Sequence, residues 1–417
     1  MPLHQFEAFG VELEYMLVDA PTLDVAPVVD RIISARVGEP LSEVEALRGV
    51  SWSNELVAHV VEIKTADPRP DLTGAAEDFA ANLAEVNRLA AALDRPARIM
   101  PGAMHPWMDP RRETRLWPHE YHEVYANFHR LFDCCRHGWA NLQSVHLNLP
   151  FDGDEEFARL HAAVRLVLPL LPALCAASPV MEDRLTGIAC NRLEVYRANQ
   201  AAVPSLSGRV IPEPVFTRAD YQRVIMDPIA RDVARLDNSG LMKPDWMNSR
   251  GAIARFDRGS IEIRVMDVQE CPRADLAIVR GVIAVLKWLV SGEPCPLAAQ
   301  QQWGIDPLVR VLDACIRDAG DAVIDDAEFL RALGFKGACC RAAELWAHLF
   351  DRADVAFCSD HSLSPLKFIL ERGTLSQRIA QALGNRRGEI ARGELARVYS
   401  DLCTCVETGR LLGEVAH

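Results

Sequence analysis

Stretches in which apolar and polar residues alternate occur at four places in the first two-thirds of the chain, and each predicts a strand with one oily face. In FGVELEYMLVD, residues 9–19, Val11, Leu13 and Tyr15 fall on one side and Glu12 and Glu14 on the other. In VAHVVEIKT, residues 57–65, His59, Val61, Ile63 and Thr65 oppose Val60, Glu62 and Lys64. In QSVHLNLPF, residues 143–151, Val145, Leu147 and Leu149 oppose Ser144, His146 and Asn148. In GSIEIRVMD, residues 259–267, Ile261, Ile263 and Val265 oppose Ser260, Glu262, Arg264 and Met266. Any one of these reads as a half-solvated antiparallel strand. Together their polar sides carry Glu12, Glu14, Glu62, His146, Glu262 and Arg264 rather than the Thr, Lys and Gln of an ordinary exposed face. These faces are expected to converge.

Helical spacing fills the intervals. It predicts helices over residues 72–93, over 155–177 with a bend at Pro169 and Pro172, and over 274–290. Beyond residue 292 the alternation disappears and helix signals dominate, at 325–333, 342–351, 363–372 and 394–411. At Gly373-Thr374-Leu375-Ser376-Gln377 one helix stops on glycine, and the next starts with Thr374 as N-cap and Gln377 as its capping-box partner. Pro204 to Val215 reads as a long irregular segment. The pattern therefore predicts an α+β catalytic sheet domain over residues 1–291. A helical portion, 292–417, is expected to pack on it as part of one unit.

Composition narrows the classes. The chain has 417 residues, 49% apolar and 25% charged, the balance of an ordinary globular protein. Its net charge of −13 argues against general nucleic-acid binding. The apolar run Leu276–Val290 is broken by Arg280 and Lys287 and is shorter than the ~20 residues of a membrane span, so no membrane anchor is expected. The twelve cysteines include adjacent pairs but no CxxC, and MPLHQFEAFG does not read as a secretory leader. Reduced, mostly buried thiols in a cytoplasmic protein are the expectation, and no cysteine sits in a nucleophile motif.

Hard cations such as Mg²⁺ require several oxygen ligands and commonly bridge to phosphates. Glu12 and Glu14, two apart on a strand, put carboxylates about 7 Å apart on one face. Burying both without a cation costs desolvation and like-charge repulsion, so they are either exposed or metal-bound. Glu262 and Arg264 place a carboxylate beside a guanidinium suited to phosphate oxygens, or to a surface ion pair.

The order of these motifs resembles the type 2 glutamate–cysteine ligase family, which includes bacterial carboxylate–amine ligases and is related by fold to glutamine synthetase. The matching stretches are FGVELEYMLVD, NELVAHVVEIKT, PGAMHPW, QSVHLNLPF, LPLLPALCAASPV, RGSIEIRVMDVQECPRADLAI and ERGTLSQRIAQAL, in order over residues 9–410. The resemblance implies a curved, mainly antiparallel sheet with helices on its convex side, a glutamine synthetase/guanido kinase-like catalytic fold. Its concave face would bind ATP with Mg²⁺, or Mn²⁺. ATP would phosphorylate a carboxylate, and an amine would attack the acyl phosphate to give an amide.

By resemblance the metal ligands are Glu12, Glu14, Glu62, His146 and Glu262. Arg264, Arg255 and Arg250 fall to the nucleotide, with Arg264 and Arg192 catalytic. Glu55, on the edge of the second strand, His105, Asn148 and Arg192 fall to the substrate. A structural role for His105 is equally open. The family's His-x-His is His146 and Asn148 here, and its Ser-Tyr-Arg is Cys190-Asn191-Arg192. Both changes lie where the family recognises substrate, and point to a branch whose amine or carboxylate differs from cysteine and glutamate. Small-molecule substrates and a homo-oligomer, a dimer, are implied. A phosphotransferase on the same fold and a catalytically silent nucleotide-binding relative are the alternatives.

Overall fold

A computed structural model describes residues 2–355 and 360–414. The four alternating stretches form strands of one main sheet, which is completed by four more strands lying between them; the short strands Val180–Met181 and Arg184–Leu185 belong to a separate small sheet. In chain order the strands of the main sheet are β1 (Gly10–Asp19), β2 (Glu43–Glu45), β3 (Val50–Asn54), β4 (Val60–Thr65), β5 (Ala97–Met100), β6 (Ser144–Pro150), β7 (Ala252–Arg255) and β8 (Ser260–Asp267). The sheet is antiparallel and open, ordered β2-β3-β4-β1-β6-β8-β7, with β5 pairing the C-terminal half of β1. The longest predicted strand, β1, is thus central. Its neighbours β4 and β6 carry Glu62 and His146, and β8, with Glu262, lies beyond β6.

Apolar alternation decides which face is covered. Val11, Leu13 and Tyr15 of β1, Ile63 of β4, Leu147 of β6 and Ile263 of β8 share one core with Phe79 and Leu83 of helix α1 (Ala75–Ala91). Val164 of α2 (Gly153–Val167) and Val279 and Leu286 of α4 (Pro272–Val290) complete that layer. Between α2 and α4 in sequence lies the short helix α3 (Asn191–Tyr196), which carries one of the site arginines. The apolar stretch 276–290 is buried helix, and no helix among the described residues is long and apolar enough to cross a membrane.

On the opposite face β1 changes character along its length. Glu12 and Glu14 are followed at the same two-residue spacing by Met16 and Val18, which are fully buried in a second core. That core contains Ile379 of α5 (Leu375–Ala382) and Val398, Tyr399 and Leu402 of α6 (Arg392–Thr408). The C-terminal helices therefore close one end of the polar face and leave its glutamate end open.

The capping box of α5 forms as the sequence predicts, Thr374 capping Gln377 and Gln377 returning to the Thr374 backbone. The first core runs across residue 291, joining sheet and α4 residues to Leu345, Trp346 and Leu366. Contact there is close: a Cβ on Gly281 of α4 would lie 2.8 Å from Leu366 Cδ1.

Three expectations are corrected. First, β2, β3, β5 and β7 carry too little alternation to stand out, and short strand pairs also occur after residue 292, as at Val323–Ile324 with Cys340–Arg341. Second, the polar face of β8 does not continue to Met266. A bulge shifts the register from Ile263↔Leu147 to Met266↔Val145, so Met266 turns into the core and Asp267, opposite Ser144, comes to the polar side. Third, the segment from Pro204 is partly helical, at Pro204–Ser207. Of the eleven described cysteines, all free, Cys339 is exposed and Cys135 half-buried, with the others buried; Cys358 lies outside the described residues.

Candidate active site

Register brings the acidic positions together. Glu12 pairs with Lys64 on one side and His146 on the other, Glu14 pairs with Glu62, and Glu262 with Asn148. Paired residues of an antiparallel sheet present their side chains on the same face. Two triads result, Glu12–Glu62–His146 and Glu14–Glu55–Glu62, each with its ligand atoms within 4.8 Å of one another. Glu62 belongs to both. Glu262 stands beside them, its Oε1 3.8 Å from His146 Nδ1.

His146 is the hub. Its Nδ1 donates to Glu12 Oε2 at 2.9 Å, and its Nε2 donates to Ser144 Oγ at 3.0 Å. Ser144 donates its hydroxyl to Glu14 Oε2 at 2.8 Å and its backbone N–H to the same oxygen at 2.7 Å. Burial alone would favour the neutral imidazole, but the Glu12 hydrogen bond and the Glu14 charge outweigh it and raise His146 to about 9. Asn148, in place of the second family histidine, donates its amide to Glu12 Oε1 at 3.1 Å, so the change keeps a hydrogen bond and removes a titratable group.

The other side of the cluster is short of positive charge. Burial, with Glu12 nearby, raises Glu62 to about 7 in spite of Lys64 3.1 Å away and the Ser53 hydroxyl donating at 2.7 Å. Glu55 is raised strongly, first by burial and then by Glu14 and Glu62. Carboxyls pushed toward their protonated forms by burial and by one another are converging oxygen donors that a divalent cation would ionise. The donor set, oxygen-rich with one imidazole, fits Mg²⁺ or Mn²⁺. Glu55 directly follows β3, outside the second predicted strand, and its carboxylate joins the triad rather than standing apart with the substrate positions.

Beyond the triads opens a cavity of about 240 Å³, lined at its acidic end by Glu14, Glu55 and His146. Arg192 and Arg264 line it as well, and Tyr125, Phe128, Trp139, Tyr196 and Trp246 supply aromatic wall. Arg264 Nε lies 2.9 Å from Glu262 Oε1. Arg192, on α3, is held by Asp267 at 3.3 Å and donates to the Arg264 carbonyl at 2.8 Å. The bulge in β8 is what puts Asp267 there. Of Cys190-Asn191-Arg192, only the arginine reaches the cavity, since the Asn191 amide donates to the carbonyl of Ser178 and the Cys190 thiol packs on Asp267.

Two predicted residues lie elsewhere. His105 is fully buried, with Nε2 on the Leu23 carbonyl at 2.7 Å and Nδ1 accepting from Trp107 N–H at 3.2 Å, and burial lowers it to about 4. It is a neutral structural histidine. Arg250 makes a paired contact with Glu213, Nη2 to Oε1 at 2.7 Å, and does not line the cavity. Arg255 pairs in register with Ser260 and so shares the face of Glu262, with Asp257 3.1 Å from its guanidinium. Sequence reasoning passed over Lys64, Ser144 and Asp267 as site residues. The first two were visible in the alternation beside Glu62 and His146, whereas Asp267 requires the bulge.

The family profile of glutamate–cysteine ligase family 2 matches residues 8–401, and the chain belongs to that family. A functionally uncharacterised protein of Archaeoglobus fulgidus is 29% identical over 95% of this chain and 98% of its own length. A protein of Rubrobacter xylanophilus, provisionally named glutamate–cysteine ligase 2-1, is 30% identical over 75% of this chain and 76% of its own. The crystal structure of a bifunctional glutathione synthetase from Pasteurella multocida superposes with a TM-score of 0.55 at 12% identity. It matches 96% of this chain and 52% of that one, a likeness of fold.

Proposed function

We propose that this chain is an ATP- and Mg²⁺-dependent carboxylate–amine ligase, with Mn²⁺ able to substitute, that forms an amide through an acyl phosphate. The observation that carries the reading is the pair of triads sharing Glu62 at the head of a cavity that also holds two arginines. Glu12, Glu14, Glu55, Glu62, His146 and Glu262 would hold divalent cations. Bound there, the cations would offset the repulsion between this acidic face and a triphosphate and stabilise charge on the transferring phosphoryl group. Arg264, beside Glu262, and Arg255, further along the same face, are the phosphate-facing cations. Arg192, fixed by Asp267, presents its guanidinium to the acid substrate. The aromatic wall excludes water, which would otherwise hydrolyse an acyl phosphate. Ser144 and Asn148 hold the Glu14 and Glu12 carboxylates in place, so the ligands stand ready before substrate arrives.

The test is ADP release across pairs of acids and amines, with mass spectrometry of the products. Amines with aromatic substituents belong in the panel because of the wall. ADP release that needs both acid and amine, with an amide among the products, is the expected result. A phosphorylated product without an amide would make the chain a phosphotransferase. Absent Mg-ATP binding by calorimetry would leave it catalytically silent.

A further inference from the structure

A second group of ligand side chains lies outside the glutamate face, in HRLFDCCRH, residues 129–137. We propose that His129, Asp133 and Cys135 form a site for a soft divalent cation of the Zn²⁺ class, which pins the bend carrying Gly138 and Trp139 beside the catalytic cavity. Their ligand atoms lie within 4.8 Å of one another, and all three residues are half-buried. The backbone explains the approach. The helix His122–Phe132 ends at Asp133, whose φ of +53° turns the chain back on itself. Cys135 Sγ then lies 4.0 Å from His129 Nδ1. That nitrogen accepts the Cys134 N–H at 3.1 Å, so it carries no proton and its lone pair faces the bend. An arriving ion would replace this backbone contact.

The donors differ in kind from those of the catalytic face. Thiolate, imidazole and carboxylate suit Zn²⁺, whereas a carboxylate-rich cluster suits Mg²⁺. Three protein ligands leave one position for water. Cys135 also lines a separate cavity of about 480 Å³, with Asp109, His137, Glu182 and Glu194, through which ion and water can enter. On binding, the Cys135 thiol gives its proton to solvent and the thiolate becomes the ligand.

The position gives the site a consequence. Tyr125 and Phe128 of the preceding helix, and Gly138 and Trp139 after the bend, line the catalytic cavity. The rings of Phe128 and Phe132 each pack 5.8 Å from Trp139. A cation at the bend would tie these two walls together.

Cobalt distinguishes the two sites, because a cobalt–thiolate bond gives a near-ultraviolet charge-transfer band and the carboxylate–imidazole face has no sulfur to give one. The full chain is stripped with chelator and titrated with Co²⁺. The band is expected in the wild type, in Cys339→Ser and in Glu12→Gln, and is expected to vanish in Cys135→Ser. His129→Ala and Asp133→Asn are expected to weaken Co²⁺ binding at this site by roughly 10-fold or more, with unchanged circular dichroism. No band in the wild type, or a band that survives Cys135→Ser, would overturn the proposal. Glu12→Gln losing ADP release while keeping the band would show that this site and the ligase reading stand or fall separately.

Discussion

Glu62 is where the two triads meet, so under the proposed function one side chain would serve cations in both. Glu62→Gln preserves shape and can still accept the Ser53 hydroxyl, yet withdraws an anionic ligand from each group. Turnover is expected to fall at least ~100-fold, the scale of losing one fixed electrostatic contact to a transition state, while the melting temperature holds or rises. A rise is reasonable because burial already pushes Glu62 toward its protonated form. ADP release and thermal melts on the same preparation check both halves. Normal turnover would remove Glu62 from the metal set. At this scale the convergence was partly legible: the glutamates of β1, β4 and β8 and His146 were readable as polar residues on strand faces, and the structure brings Glu12, Glu14, Glu62 and His146 together, while their roles as metal ligands rest on the family resemblance. His105 and Arg250 misled because residue type and motif order say nothing about which partner a side chain finds. A carbonyl took one and Glu213 the other.

Strands set what those residues can reach. Gly10 lies opposite Asn148, and a Cβ there would sit 3.1 Å from Asn148 Cβ, tighter than ordinary packing. Gly10→Ala is expected to cost about 1–3 kcal/mol through overpacking and to push the Asn148 amide off Glu12. In a double-mutant cycle, Asn148→Gly, which removes the Cβ that is approached, should make Gly10→Ala much less costly than it is in the wild type. Additive losses in urea titrations would show that the glycine serves something else. The bulge in β8 is the element whose effect was hidden. Strict alternation puts Met266 on the polar face. One extra residue between Ile263 and Met266 reverses the order, bringing Asp267 to Arg192. A bulge is a property of pairing with β6 and leaves no mark in a single strand's pattern.

Across the molecule, buried histidines away from the site tie stability to pH. His161, on α2, donates Nδ1–H to the Val215 carbonyl at 2.8 Å and stacks on Phe157. Burial, reinforced by Arg165, lowers it from 6.5 to about 3. Its folded pKa lies below its unfolded one, so the unfolded chain binds the extra proton, and stability present above pH 6.5 is lost as pH falls toward 3. Compared with His161→Gln, the wild type should lose ~1.4 kcal/mol per pH unit in that window, or about 2 kcal/mol between pH 6.5 and 5. Urea midpoints of both proteins at the two pH values give the measurement, and parallel midpoints would refute the assignment. The joining of sheet and C-terminal helices belongs to this scale too, since Gly281 admits Leu366 and Phe350 against α4.

By itself the sequence determined the four alternating faces, the order of their motifs and the capping box at Thr374, because alternation and capping are local properties of the chain. Only the tertiary structure decided that Glu55 joins Glu14 and Glu62, that the C-terminal helices cover Met16 and Val18 rather than Glu12 and Glu14, and that Arg192 is held by Asp267. Each of these depends on register between strands or on contacts between distant segments, where a shift of one residue sends a side chain to the other face.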